Sequence, residues 1–233
     1  MRSLLTCLFV LFNQVGLSQP QDCGDTGLKD PAAVLKLHNE VRQGVAQRQF
    51  AHSDGAITYS KIGSKNMFAL DYDCALQGIA YASVVNCRCD KTFVDAYDYS
   101  ISCEKTILGS TKTTKIQEAY ETTIKEWRDD AKNDIPLPLS AATYKNVPAT
   151  FANSISDDLK SLRMGCAHRL CDKRVLIACV YSRKPQGEQP LYIEASTKTG
   201  CTAKKCKELV PEAKCDSSCG LCVTDKHVAN VAI

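Results

Sequence analysis

The sequence predicts an α+β fold in which a central strand is covered by helices on both faces and a small cysteine-rich extension follows. Three observations carry this. From Arg174 to Arg183, Val175, Ile177, Cys179 and Tyr181 alternate with Leu176, Ala178 and Val180, so both faces of one strand are apolar and need cover. Apolar residues recur at three- and four-residue steps in separate upstream stretches, the mark of helices with one buried face. After Ser196 the composition changes: Gly200 to Val223 packs five cysteines among lysines and small residues. A piece with so little apolar content holds its shape by cross-links rather than burial.

The elements follow in chain order. Met1 and Arg2, the apolar run Leu4 to Phe12, and the small residues Gly16 and Ser18 form the pattern of a signal peptide over residues 1–18. The expected location is therefore secreted and extracellular. Asp30 and Pro31 suit the N-cap and first position of a helix, and Val34, Leu37, Val41 and Val45 give it one apolar stripe. A second helix is expected from about Asp71 to Asn86. A third is expected from about Thr114 to Ala131, with Ile116, Tyr120, Ile124 and Trp127 on one face. Pro136, Pro138 and Pro148 make Ile135 to Pro148 an irregular loop. A short fourth helix is expected over Ser156 to Leu162. Met164 to Leu170 pairs with the apolar strand through the turn at Cys171 to Arg174. No later segment approaches the roughly 18 unbroken apolar residues of a membrane helix, so no membrane anchor is expected.

Charge excludes some partners. The chain has 29 basic and 26 acidic residues, with no basic block to grip nucleic acid or an anionic membrane. Cysteine is the strongest compositional signal. There are 14, and loss of Cys7 with the leader leaves 13. Behind a secretory leader such a set reads as a disulfide framework. The Cys87-x-Cys89 and Cys219-x-x-Cys222 spacings lack the paired repeats of a zinc module. The expected bridging cysteines include Cys74, Cys87, Cys103, Cys166, Cys171, Cys179, Cys201, Cys206, Cys215, Cys219 and Cys222. An odd count leaves one thiol over, and connectivity does not follow from sequence.

Several local patterns, in this order, resemble the CAP superfamily, in particular its nematode venom-allergen-like and activation-associated secreted members. Leu37-His38-Asn39-Glu40-Val41-Arg42 resembles that family's His-Asn-x-x-Arg helix. Leu70 to Cys74, followed by Ala80 and Asn86-Cys87, is similar to its second helix, and Trp127 with Asp130 to its Trp-x-x-Glu. Met164-Gly165-Cys166-Ala167 and Ile177 to Ser182, followed by Gly187 to Tyr192, resemble its strand signatures. The resemblance implies a three-layer α–β–α sandwich with a small antiparallel sheet over residues 19–196 and a hinge-like tail over 197–233.

Family members line a cleft with two histidines and two acids, and some hold a divalent metal there. By motif, the resemblance places the acids at Glu104 and Asp130. Thr150 stands where a histidine belongs, and Cys87 to Ser102 contains no histidine for the other position. Two carboxylates without imidazole are a poor zinc site, so no metal and no cofactor are expected. His168 lies near Cys166 and Cys171, but strand alternation and the disulfide character of both cysteines set against a Cys–His nucleophile. No Gly-x-Ser-x-Gly elbow or phosphate loop is present, and no catalytic set is expected. The resemblance then implies an excretory or secretory immunomodulator. It would bind an extracellular protein or receptor through loops such as Gln49 to Met67 and Lys132 to Ala149. The alternative is lipid carriage, of a sterol by the loop bearing Leu137, Leu139, Tyr144 and Phe151 or of a fatty acid in a groove between helices, and a metal-dependent hydrolase is the third reading.

Overall fold

The structure is a computed structural model that describes residue 23 and residues 28–47, 63–107, 114–134, 143, 147–156, 162–195 and 199–224. The expected signal peptide lies outside the described residues. In chain order the elements are α1 (Pro31–Gln47), β1 (Gly63–Ser64), β2 (Asp71–Tyr72), α2 (Cys74–Val84), α3 (Thr92–Asp95) and β3 (Ser100–Ile107). They continue with α4 (Thr114–Asp134), α5 (Ala149–Ile155), β4 (Arg163–Cys171), β5 (Arg174–Tyr181), β6 (Glu194–Ala195), α6 (Ala203–Leu209), β7 (Lys214–Asp216) and β8 (Leu221–Val223).

The main sheet has the order β2-β4-β5-β3. β4 and β5 form an antiparallel hairpin in which Cys166 faces Cys179, and β3 pairs antiparallel with the other edge of β5. The short β2 pairs parallel with the start of β4. The alternating side chains of β5 separate as their pattern required. Val175, Ile177, Cys179 and Tyr181 enter a core with Val34 and Val41 of α1, Tyr120, Ile124 and Trp127 of α4, and Phe151 and Ile155 of α5. Leu176, Ala178 and Val180 enter a second core with Leu76, Ala80 and Val84 of α2 and Val94 of α3. The fold is thus the expected α–β–α sandwich, in which each large apolar side chain contributes about 1.5–3 kcal/mol by leaving water.

Helix boundaries follow from local chemistry. Asp30 Oδ1 accepts the Ala33 N–H at 2.9 Å at the start of α1. The second helix begins at Cys74 rather than Asp71, because Asp71 and Tyr72 are taken up by the sheet and Asp73 caps the Ala75 and Leu76 amides. Gly165 is obligatory on the facing strand: a Cβ there would lie 2.2 Å from Gln77 N and 2.6 Å from Asp73 O, so the first turn of α2 rests directly on β4. A helix not expected from the sequence spans Ala149–Ile155 and ends as Ser156 turns to φ −57°, ψ 130°; the helix expected over Ser156 to Leu162 falls on residues 157–161, which lie outside the described residues. Pro148 at its N-cap and the four-residue step from Phe151 to Ile155, both buried, were the overlooked signals. No described helix is long and apolar enough to cross a membrane.

The C-terminal segment is small and cross-linked. Thr202 caps α6, and β7 and β8 form a hairpin; Gly220 in its turn and Gly200, packed against Gly220, adopt φ of +70° and +72°. It docks on the sandwich through main-chain bonds from Ala69 N to Cys222 O (2.8 Å) and Cys222 N to Met67 O (2.7 Å). Among the described residues six disulfides are formed: Cys23–Cys74, Cys87–Cys171, Cys89–Cys103, Cys166–Cys179, Cys201–Cys215 and Cys206–Cys222. Cys219 is a correction. Expected among the bridging residues, it takes part in none of the six, and its buried Sγ lies 3.8 Å from Asp216 O. Cys219 packs with Leu221 and Val223 into the main core, while Cys201, Cys206, Cys215 and Cys222 gather with Phe68 and Leu162 in a third cluster that tail and sandwich share.

Candidate functional site

The α4 side of the sheet carries the residues that the motifs single out. His38, Asn39 and Arg42 project from α1 as three rivets. Asn39 Nδ2 donates to Leu70 O at 3.1 Å and its Oδ1 accepts the Leu70 N–H at 2.8 Å. Arg42, fully buried, donates from Nε to Phe68 O at 2.6 Å and from one terminal nitrogen to Ser154 O and Ser156 O at 3.0 and 2.9 Å. It ties α1 to the chain before β2 and to the open carbonyls at the end of α5. His38 Nδ1 donates to Val34 O at 3.0 Å, so its Nε2 accepts from the Tyr181 hydroxyl at 2.9 Å. Burial lowers the His38 pKa to about 4 and raises that of Tyr181 to about 12. Ser154 Oγ lies 3.2 Å from the same phenol oxygen. A histidine, a tyrosine and a serine thus lie in contact, all three buried. They hold the fold together.

The remnant cleft lies further along this face. Glu104 stands exposed on β3, in register with Ile177 of β5 and, beyond it, His168 of β4. Asp130 is exposed on α4, and Thr150 Oγ1 on α5 donates to its Oδ2 at 3.5 Å. A third acid belongs to the group: burial, then the charges of Glu104 and Asp130, push the Glu126 carboxyl above its usual range. Sequence reasoning missed Glu126, although its place one helical turn before Asp130 was a usable signal. The structure therefore brings Glu104, Asp130 and Thr150 to one region of the surface. Its histidines go elsewhere. His168 is mostly buried, with Nδ1 3.3 Å from the Tyr120 hydroxyl, and burial lowers its pKa. Cys166 and His168 share a strand face after all, being two residues apart. Disulfides to Cys179 and Cys87 remove Cys166 and Cys171 as nucleophiles.

A divalent metal does not fit this set. Among the described residues, the groups of three ligand-type side chains close enough to share an ion are His38 with Cys166 and Cys179, and Cys201 with Cys206 and Cys215. The sulfurs in both are committed to disulfides. Glu104, Glu126 and Asp130 form no such group, and three exposed carboxylates offer zinc none of the imidazole it favours.

A different surface stands out on the opposite layer. Two disulfides, Cys87–Cys171 and Cys89–Cys103, pin the segment that carries α3. Val94 anchors it in the second core, while Phe93 and Tyr97 are 49% and 63% exposed. Tyr97 stacks on Tyr99 with ring centroids 5.6 Å apart. Of the lipid-loop candidates, Leu137, Leu139 and Tyr144 lie outside the described residues, and Phe151 is packed in the main core on α5. Of the proposed recognition loops, Gln49 to Met67 is described only from residue 63 onward, and Lys132 to Ala149 only in part.

Comparison with known proteins decides the family. The profile of CAP, the cysteine-rich secretory protein family, matches residues 35–181. The chain belongs to the CAP family. The match runs from α1 to the end of β5 and so contains all three layers of the sandwich. The Ancylostoma secreted protein of Ancylostoma caninum is 23% identical over 163 residues, covering 69% of this CAP chain and 36% of that protein. The chain thus spans about a third of the curated relative it matches. Among solved structures, BmVAL-1 superposes with a TM-score of 0.67 at 16% identity over 83% of this chain and 93% of its own. Na-ASP-1 does so at 0.65 and 21% identity, over 86% of this chain and 47% of its own. These similarities establish the CAP fold.

Proposed function

We propose that this CAP protein is a secreted, non-catalytic binding protein, an immunomodulator that engages an extracellular protein or receptor through a rigid exposed surface. The observation that carries the reading is the aromatic segment around α3. Phe93, Tyr97 and Tyr99 are held by two disulfides and the buried Val94, so little conformational freedom is lost when a partner covers them. Rigid aromatic side chains of this kind supply most of the energy at protein interfaces. The cleft supports the same reading from the other side, because its acids lack the imidazole that would turn them to metal or acid–base chemistry. The lipid alternative has less support, since Phe151 is spent on the core.

The test is binding of the purified protein and a Phe93→Ser/Tyr97→Ser variant to a panel of extracellular receptor domains. At least one domain should bind the native protein and lose about tenfold or more in affinity with the variant. Absence of any binder, or binders indifferent to the double substitution, would remove the reading. A fatty acid or sterol found with the protein by native mass spectrometry would put carriage in its place.

A further inference from the structure

We infer that Cys201, Cys206, Cys215 and Cys222 form a thiol-exchange site. There an external monothiol re-pairs the two bridges of the C-terminal segment as Cys201–Cys206 and Cys215–Cys222, which frees α6 from the β7–β8 hairpin. The inference stands apart from the binding reading and needs no partner protein.

Two bridges, Cys201–Cys215 and Cys206–Cys222, tie α6 and the residue before its cap to the hairpin. They lie against each other: the sulfurs of Cys201, Cys206 and Cys215 are all within 4.8 Å of one another. A sulfur of one bridge is therefore a side-chain rotation away from a sulfur of the other. Disulfides re-pair when a thiolate attacks a sulfur of a bridge, and such an attack needs this proximity.

The fold also prepares the second pairing. Thr202 is the N-cap of α6. Cys201 and Cys206 thus occupy the position just before the cap and the fourth after it, whose side chains meet across a helix N-terminus. Cys215 and Cys222 stand directly opposite each other on β7 and β8, so their side chains leave the same face of the hairpin. Opposed residues of an antiparallel pair have Cα atoms about 4.5–5.5 Å apart, inside the span that a disulfide bridges. Cys166 and Cys179 are opposed in the same way on β4 and β5, and they are bonded to each other. Each of the four tail cysteines has a neighbour in the fold to which it is not bonded.

Exposure sets where the reaction starts. Cys206 and Cys222 are fully buried and Cys201 nearly so, whereas Cys215 is half-exposed. An external thiolate bonds to Cys215 Sγ, the Cys201–Cys215 bond breaks, and its electron pair leaves on Cys201 Sγ. That thiolate bonds to Cys206 Sγ, and the Cys206–Cys222 bond breaks with the pair left on Cys222 Sγ. Cys222 then closes on Cys215 and expels the external thiolate. Two bridges are present before and after, nothing is oxidised or reduced overall, and the thiol acts as a catalyst. The effect is local. α6 loses both covalent ties to the hairpin, while β8 keeps its main-chain bonds to Met67 and Ala69.

The experiment treats the full-length oxidised protein with substoichiometric glutathione, stops the exchange with acid, blocks free thiols and maps the bridges by mass spectrometry after tryptic cleavage. Cuts after Lys204, Lys205, Lys207 and Lys214 put Cys201 and Cys206 on separate peptides and Cys215 with Cys222 on a third. The present pairing joins all three; the exchanged pairing joins the first two and leaves the third with an internal bridge. Expected is growth of the exchanged pattern in proportion to glutathione, with total thiol unchanged and the sandwich bridges intact. Amide exchange over Ala203–Leu209 should become about tenfold faster. In Cys201→Ser/Cys206→Ser, Cys215 and Cys222 should bond to each other. Peptides that stay joined, bridges lost without a new pairing, or new bridges to Cys219 or to the sandwich cysteines would overturn the inference. So would unchanged protection of α6 after exchange, or Cys215 and Cys222 remaining thiols in the variant.

Discussion

In β5, seven consecutive residues from Val175 to Tyr181 are shut away from water between two helical layers. The β7–β8 hairpin, by contrast, keeps Lys214 exposed and Cys215 and Asp216 half-exposed. The first region needs no covalent help to exclude water, although Cys166–Cys179 lies within it. The second closes loops of 14 and 16 residues with disulfides because its apolar content is too small to form a core of its own. The difference teaches where each region is vulnerable. The sandwich depends on satisfying the few polar groups it has buried, and the tail depends on its oxidation state.

Arg42→Leu tests the sandwich most severely. Three buried carbonyls lose their donor, and the expected loss is about 4 kcal/mol of global stability in urea unfolding. Arg42→Lys should rescue little of it, since an ammonium lacks the planar fork that reaches two directions at once. A loss below about 1 kcal/mol would mean that burial alone holds this layer.

Cys201→Ser with Cys215→Ser should cost about 3 kcal/mol, from the loop the bridge closes. Hydrogen exchange should show that loss confined to residues 199–224. If the β4 and β5 amides lose protection equally, the two regions are one cooperative unit and the contrast fails.

Acid sharpens the contrast from the other side. The His38 pKa in the folded protein is about 4, below its ordinary 6.5, so the folded state resists protonation that the unfolded chain accepts. Stability is complete above about pH 6.5 and falls by on the order of 3 kcal/mol as the pH drops to about 4. His168, also lowered by burial, adds in the same direction. Urea midpoints followed across that window should fall in the native protein and flatten with His38→Gln. The smallest effect expected is Glu126→Gln, which relieves repulsion from Glu104 and Asp130 at an exposed site and should raise stability by a few tenths of a kcal/mol at neutral pH. A decrease would show that Glu126 is held by a favourable partner instead.

Much of this was legible beforehand. The doubly apolar strand announced its central place, and the His38 to Arg42 motif announced an important helix, though the sequence could not say that its histidine faces a tyrosine 143 residues away. β3 escaped notice because its outer half, burial pattern ieeie, is too exposed for an apolar signature. α3, four residues long, has no periodicity to detect. The cleft was legible as a list of motif positions and illegible as a place. Glu126 joined it only when α4 was laid against β3, and the aromatic segment became a surface only once Val94 was seen to pin it from below.

Sequence by itself determined the layering, because a strand apolar on both sides has no stable state other than one covered twice. It also determined that cross-links would replace burial in the tail. Only the tertiary structure decided which sulfur remained outside the bridges and which buried polar groups found partners. Those outcomes depend on distances between residues far apart in the chain, and one-dimensional order carries no record of them.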